Sequence, residues 1–217
     1  QAELRTDARW LAALDVLAAG TRDSDPWVRY YAVQALGRVG RRGVPPAHMG
    51  HPVLTRVQQL LADPAGQVRV AAVEALAFVP REDAFDVLRT AAMSSDLDVR
   101  RAALLGLSIG QRGDALPLLM QALESSDPAT RLVATSALAS FEGPNVVAAL
   151  GVSARDRDEG VRATATGLLC DRTSREATHE LISLLSSRNE LDRICLALSA
   201  PSQGRIRGLV EGRPLAA

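Results

Sequence analysis

The chain contains no lysine. Its basic residues are all arginine, and 25 of them face 25 acidic residues, for a formal net charge of zero. GC-rich coding accounts for this bias more simply than a functional demand for arginine. A chain that wraps nucleic acid needs an excess of positive charge to displace counterions, so the balance argues against that class. Aromatic residues make up only 3% of the chain, against 47% hydrophobic residues in all. A β-sandwich draws on aromatic and β-branched side chains, whereas a core of Ala, Leu and Val suits closely packed helices. The two cysteines, Cys170 and Cys195, supply neither a disulfide framework nor a zinc-site spacing. Both fall within apolar helical runs and read as small buried thiols. No apolar run approaches the ~18 residues of a membrane span, and no signal-peptide n-region and h-region are visible. The chain opens on Gln1 rather than Met, as expected of a trimmed or processed chain or of one region of a larger protein. The compartment is left unknown.

What the chain does have is a period. Arg69, Arg100, Arg131, Arg162 and Arg193 recur every 31 residues, and Arg29 precedes the first of them by 40. Other columns keep the same register. One position before the arginine stand Val28, Val68, Val99, Thr130 and Val161. Three positions after it stand Ala32, Ala72, Ala103, Ala134 and Ala165, and seven after it Leu36, Leu76, Leu107, Leu138 and Leu169. Repeated columns of this kind are the signature of stacked supersecondary units. Each unit contains two apolar-periodic stretches. First helices are expected near residues 4–19, 52–62, 83–93, 114–124, 144–153 and 175–186. Second helices are expected near 26–38, 65–78, 97–109, 128–140, 159–170 and 190–199. Asp25-Pro26 and Asp127-Pro128 pair an N-cap with a proline at the first helical position, and Asp96 and Asp158 hold the same capping position. Gly40, Gly110 and Gly143 read as helix stops.

The pattern Asp-Pro/x-x-Val-Arg-x-x-Ala-x-x-Ala-Leu resembles HEAT repeats over about residues 4–200. Its short spacing is similar to that of the HEAT-like repeats of phycobilin lyases. The resemblance implies an all-α, right-handed α-α superhelix of about six helical pairs in one domain, residues 1–217. The units fall near 1–40, 51–80, 81–110, 111–143, 144–171 and 172–200, with 201–217 as a cap or tail. The sixth is degenerate, with Leu196 and Ala200 in the Ala and Leu columns.

On a helical wheel of about 100° per residue, the apolar columns of the second helix centre about 40° from the arginine. The arginine therefore sits at the edge of the buried arc, where a charge must be paired and hydrogen-bonded. An Asp–Arg ladder between adjacent units is expected, built from Asp25, Arg29, Asp63, Arg69, Asp96, Arg100, Asp127, Arg131, Asp158 and Arg162. The alternative, a column of phosphate-binding arginines, fits poorly with one residue demanded per structural unit.

The columns one, five and nine residues after the arginine face away from the core. They contain Tyr30, Gln34 and Arg38; Val70, Glu74 and Phe78; Arg101, Leu105 and Ile109; Leu132 and Ser136. A solvated face would be mostly charged, so this apolar content points to a groove for a protein or peptide. The resemblance implies the same, since HEAT-like solenoids bind partners on the concave surface lined by their second helices. Phe78 and Ile109 read equally well as helix ends tucked under neighbouring loops.

The nine-residue excess between the first two units lies within residues 40–52, where His48 and His51 stand three apart without a third ligand. No metal or other cofactor is expected. His179-Glu180 is the one His-Glu pair, too few for the di-iron hydroxylases built on HEAT-like repeats. No glycine-rich phosphate loop or G-x-S-x-G is present, and no catalytic residue is nominated. The expected function is a non-catalytic protein-interaction scaffold acting as a monomer, with no nucleic acid as partner. The alternatives are a phycobilin-lyase-like accessory protein for cofactor attachment and, third, a nucleic-acid-binding HEAT-like protein.

Overall fold

The computed structural model describes residues 12–41, 53–79, 82–110 and 113–187, and among them every regular element is a helix. The order is α1 (within 12–20), α2 (Pro26–Arg41), α3 (Val53–Gln59), α4 (Gly66–Leu76), α5 (Glu82–Ala91), α6 (Leu97–Ile109), α7 (Leu116–Ala122), α8 (Pro128–Ala137), α9 (Pro144–Ser153), α10 (Glu159–Asp171) and α11 (Arg175–Ser187). Short 3-10 turns extend α3 through Leu60–Ala62 and α8 through Leu138–Ser140, and another leads into α7. The second helix of the sixth unit, the His48/His51 loop and Cys195 lie outside the described residues.

Four of the even-numbered helices, α2, α6, α8 and α10, begin where an aspartate satisfies orphan N–H groups of the first turn, whereas α4 has Ala65 at its N-cap and no side-chain cap. Asp25 accepts the Trp27 N–H at 2.8 Å, Asp127 the Thr130 N–H at 2.8 Å, and Asp158 the Val161 N–H at 3.1 Å. Asp96 accepts from both Asp98 and Val99. Two of the three expected glycine stops are different in the structure. Gly40 lies inside α2, because a lone glycine costs a helix only about 1 kcal/mol against alanine and does not end it. Gly143 begins a helix: it holds φ 120° at the N-cap of α9, a conformation that favours glycine.

Two compact units divide the chain, residues 1–118 and 119–217. In the first, α4 packs against both α2 and α6, and α5 lies against α6 and α4. Its centre is Val33, Val68, Leu76, Leu104 and Leu107, all essentially sealed from solvent. A methyl group on Gly37 would lie 3.0 Å from the Ala75 Cα, so α2 and α4 approach backbone to backbone. In the second unit, α10 packs against α8, α9 and α11 around Leu138, Leu150, Leu169 and Leu181. Arg172 is buried there and donates to the carbonyls of Leu138, Phe141 and Leu168 at 2.8–3.0 Å. It satisfies carbonyls at the end of α8 and of its own helix. One core column departs from expectation. Val28 is 41% exposed, whereas Val68, Val99 and Val161 are at most 5% exposed, because among the described residues no earlier second helix lies beside α2.

The arginine column makes two sets of bonds. The first is local. Six residues before each arginine stand Asp23, Asp63, Ser94, Ser125 and Asp156. The side chain of each accepts the N–H of the residue two further on, closing the turn ahead of the second helix. The guanidinium then donates to the main-chain carbonyl of that same residue, at 2.7–2.9 Å in all five copies. The second set reaches forward to the next unit. Arg29 donates through Nε and Nη2 to the two carboxylate oxygens of Asp63 at 2.8 and 2.9 Å. Arg69 donates to Oδ2 of Asp96 at 2.9 and 2.6 Å. Arg131 holds both oxygens of Asp156 at 2.8 Å.

Asp156, not Asp158, receives Arg131. The carboxylate of Asp158 is turned to the helix N-terminus as a cap, and the acid two residues earlier meets the incoming fork. Where the earlier position is a serine, as at Ser94, the capping residue Asp96 takes both duties.

The acids respond as paired groups do. The hydrogen bond from Arg69 holds Asp96 below the usual carboxylate range, and that from Arg131 does the same to Asp156. Burial pushes Asp63 upward, but the Arg29 hydrogen bond, the Ala65 N–H and the nearby guanidiniums outweigh it and bring it below its ordinary value. Hydrogen bonds to Asp63 and Asp156 raise Arg29 and Arg131 in turn.

The side chains of Arg131 and Asp156 are 6% and 14% exposed. Arg131→Ala leaves a carboxylate unpaired at a nearly dry site and is expected to cost about 3–5 kcal/mol, measured by denaturant melting. Arg131→Lys recovers only part of this, because an ammonium lacks the fork that serves carboxylate and carbonyl together. The depressed acids contribute stability that is full above their unfolded value of about 3.9 and is lost as pH falls through their lower folded values. The melting temperature of the parent should therefore drop steeply below about pH 4. The gap between parent and Asp156→Asn should narrow over the same range.

Candidate functional site

The arginine ladder leaves the opposite face of the second helices free. In the first unit, α2, α4 and α6 lie side by side and carry seven of the ten nominated groove residues, with Phe78 in the turn after α4. Leu105 and Ile109 on α6 are 51% and 46% exposed. Tyr30, Gln34, Val70, Phe78 and Arg101 are half-buried, and Arg38 and Glu74 are exposed. Gln34 ties two helices together on this face. Its side-chain amide donates to the Tyr30 hydroxyl at 3.2 Å on its own helix and to Glu74 of α4 at 3.4 Å. Arg101 donates to Asp98 at 3.1 Å, an i, i+3 pair whose acid stands in solvent. The surface is thus an apolar stripe on α4 and α6 bordered by neutral and mixed-charge groups on α2.

The second unit presents a different surface in the same columns. Leu132 is half-buried and Ser136 is exposed, its hydroxyl bonded back to the Leu132 carbonyl. On α10 the equivalent positions are Ala163, Gly167 and Asp171, all exposed. Apart from Leu132, small and polar side chains stand where the first unit has large apolar ones.

Beside the nominated Tyr30 stand two aromatic residues that the outward columns do not contain. Trp27, Tyr30 and Tyr31 cluster along α2 with ring centroids 5.2–6.3 Å apart, Tyr30 meeting both neighbours edge-on and Trp27 and Tyr31 tilted by 32°. Trp27 is 55% and Tyr31 65% exposed. Neither falls in the outward columns taken from the wheel, so only their bulk and spacing (Trp27, Tyr30, Tyr31 at i, i+3, i+4) carried a signal.

Chemistry-bearing groups elsewhere are occupied or scattered. Cys170 is 1% exposed on the buried side of α10. Glu180 is held by Arg155 at 3.2 Å, and His179 stands beside it at a shallow cleft of about 380 Å³ formed with Pro144, Val147, Ala148 and Arg175. Among the described residues no three His, Cys, Asp or Glu side chains gather as a metal site would require. No described helix is long and apolar enough to cross a membrane.

Residues 53–119 and 105–166 match the family model for HEAT repeats. The chain is a HEAT-repeat protein. No curated protein matches it in a search by sequence. Among solved structures, this HEAT-repeat chain is similar to a condensin subcomplex of S. pombe, with 22% identity and a TM-score of 0.66 over 91% of its length. It spans only 28% of that condensin chain. It is also similar to the YibA protein of E. coli, with 18% identity and a TM-score of 0.62, covering 95% of this chain and 77% of that one. The phycocyanin lyase complex of a Nostoc species matches at 16% identity over 92% of this chain and 94% of that one, with a TM-score of 0.44. The likenesses to the condensin and YibA chains establish the fold alone.

Neighbouring residues of α6 test the assignment of core and surface. Leu104→Ala, at a side chain 1% exposed, should cost about 2–5 kcal/mol. Leu105→Ala should stay within about 0.5 kcal/mol of the parent, both read by denaturant melting.

Proposed function

We propose that this HEAT-repeat chain is a non-catalytic protein-interaction module that takes an extended peptide or a helix along the outer face of α2, α4 and α6. The observation that carries the reading is the exposure of Leu105 and Ile109, 51% and 46%. They continue a face shared with Val70 on α4 and Phe78 in the turn that follows it. Exposed apolar side chains that adjoin one another on a rigid surface mark interaction sites. Here the polar border of Gln34, Glu74, Arg38 and Arg101 would set orientation, as the rim of an interface does. The contrast with Ser136 and Gly167 in the second unit supports placing the site on the first. The condensin chain that shares the fold was solved as part of a protein subcomplex, an assembly in keeping with such a role.

Nothing observed favours the other readings. A cofactor-attachment role would call on a reachable thiol, and the one cysteine among the described residues, Cys170, is sealed within α10. A nucleic-acid groove would call on unpaired arginines, whereas the arginine column is turned to its own turns and acids.

The test is affinity capture with mass spectrometry, comparing the parent with Arg101→Glu/Leu105→Glu. Both side chains lie outside the sealed core, so helicity and melting should match the parent. The proteins retained by the parent should be lost by the variant. Retention of the same set by both would overturn the groove assignment.

A further inference from the structure

We infer that the groove on α2, α4 and α6 is built for an apolar peptide segment with a single arginine at its centre. The inference rests on the groove reading above and names the chemistry of the occupant. α4 is the middle helix of its row, with α2 on one side and α6 on the other. Along its outer face Val70 and Glu74 stand one turn apart, about 6 Å along the axis, and Phe78 follows four residues later in the turn after the helix. Gln34 of α2 reaches Glu74 at 3.4 Å, so these two columns lie side by side. Leu105 holds the same column on α6, 31 residues further on. Glu74 is thus framed by Val70, Phe78, Gln34 and Leu105, none of which carries a charge.

Glu74 is exposed. Among the described residues, the long bond from the Gln34 amide is the one its carboxylate accepts. The nominated arginines stand elsewhere on the face: Arg101 is bonded to Asp98 at 3.1 Å, and Arg38 lies on the α2 border in the column of Phe78. A lone carboxylate therefore interrupts the apolar stripe at its middle.

Water solvates that carboxylate in the free protein. An occupant that covers the stripe displaces the water, and a buried charge left without a partner is costly. A wholly apolar occupant strands the charge, and an acidic one adds repulsion. A cation at the centre of the segment removes both penalties. Arginine fits better than lysine, because its planar fork places two parallel N–H groups on a carboxylate. The Gln34 amide nitrogen is committed to Tyr30 and Glu74, so the amide oxygen remains to accept a further guanidinium N–H. The apolar residues supply contact area, and Glu74 selects among the segments that could fill it.

Selection from a displayed library of random peptides tests this, run in parallel on the parent, Glu74→Arg and Leu105→Glu. Both positions are exposed, so circular dichroism and melting of the variants should match the parent. Peptides selected on the parent should carry an arginine between apolar residues. Those selected on Glu74→Arg should carry an aspartate or glutamate in that place. Changing the arginine of a parent-selected peptide to glutamine should weaken its binding to the parent at least about tenfold by fluorescence anisotropy, and its binding to Glu74→Gln by less than about twofold. The same apolar pattern from both selections, an acidic centre on the parent, or an arginine whose replacement changes nothing would overturn the inference. The groove reading would survive those results if Leu105→Glu abolishes binding. Peptides that bind Leu105→Glu as they bind the parent, or a selection that enriches nothing, would overturn the groove reading and this inference with it.

Discussion

A guanidinium placed at the edge of a buried helix stripe has five donors and no acceptor, and all of them must be used before the helix can pack. In this chain the problem is solved the same way in both compact units. One edge of the fork closes the turn that leads into its own helix, and where the forward partner lies in the same compact unit, the other edge holds an acid of the next repeat. A turn and a neighbour are thereby fixed by a single side chain. Such pairs are poor sources of net stability, because desolvation of two ions offsets much of their attraction. Their effect is on register: a helix shifted by one residue would strand a charge in the seam.

Fixed register is what makes the outer surface meaningful. With the arginine, valine and alanine columns committed to the seam, the columns opposite them line up from helix to helix. In the first unit those columns carry Val70, Phe78, Leu105 and Ile109, and in the second, Leu132 apart, small or polar residues such as Ser136, Ala163 and Gly167. The same scaffold thus presents two surfaces of different chemistry. A repeat architecture allows this because each column of the outer face is free of the packing demands that hold the inner ones constant.

The repeat, the helix order and most boundaries were legible in the sequence, since they follow from columns copied several times over. The all-α, HEAT-like assignment rested on the same columns. What escaped notice depended on single positions. Asp156 takes Arg131 because Asp158 is drawn to the helix N-terminus, and the choice between two acids two residues apart is settled by geometry that no periodicity records. The Asp/Ser column that closes each turn was overlooked because its two residue types do not look alike, although both accept the same N–H. Val28 obeys its column in sequence but not in burial, since among the described residues no earlier second helix lies beside α2 to cover it. Arg172 lies outside every column and reads as an ordinary surface arginine until the carbonyls of Leu138 and Phe141 are seen around it. Of the groove, the wheel identified the outward columns, while the aromatic cluster beside them, Trp27 and Tyr31, was hidden by its place between columns.

The central claim is that the forward arginine–aspartate contact couples adjacent repeats and is more than a surface ion pair. A double-mutant cycle on Arg131 and Asp156, with alanine at each position alone and together, measures that coupling directly. The coupling energy should lie well above about 1 kcal/mol, beyond the range of exposed pairs. A value below about 0.5 kcal/mol, typical of independent sites, would contradict it.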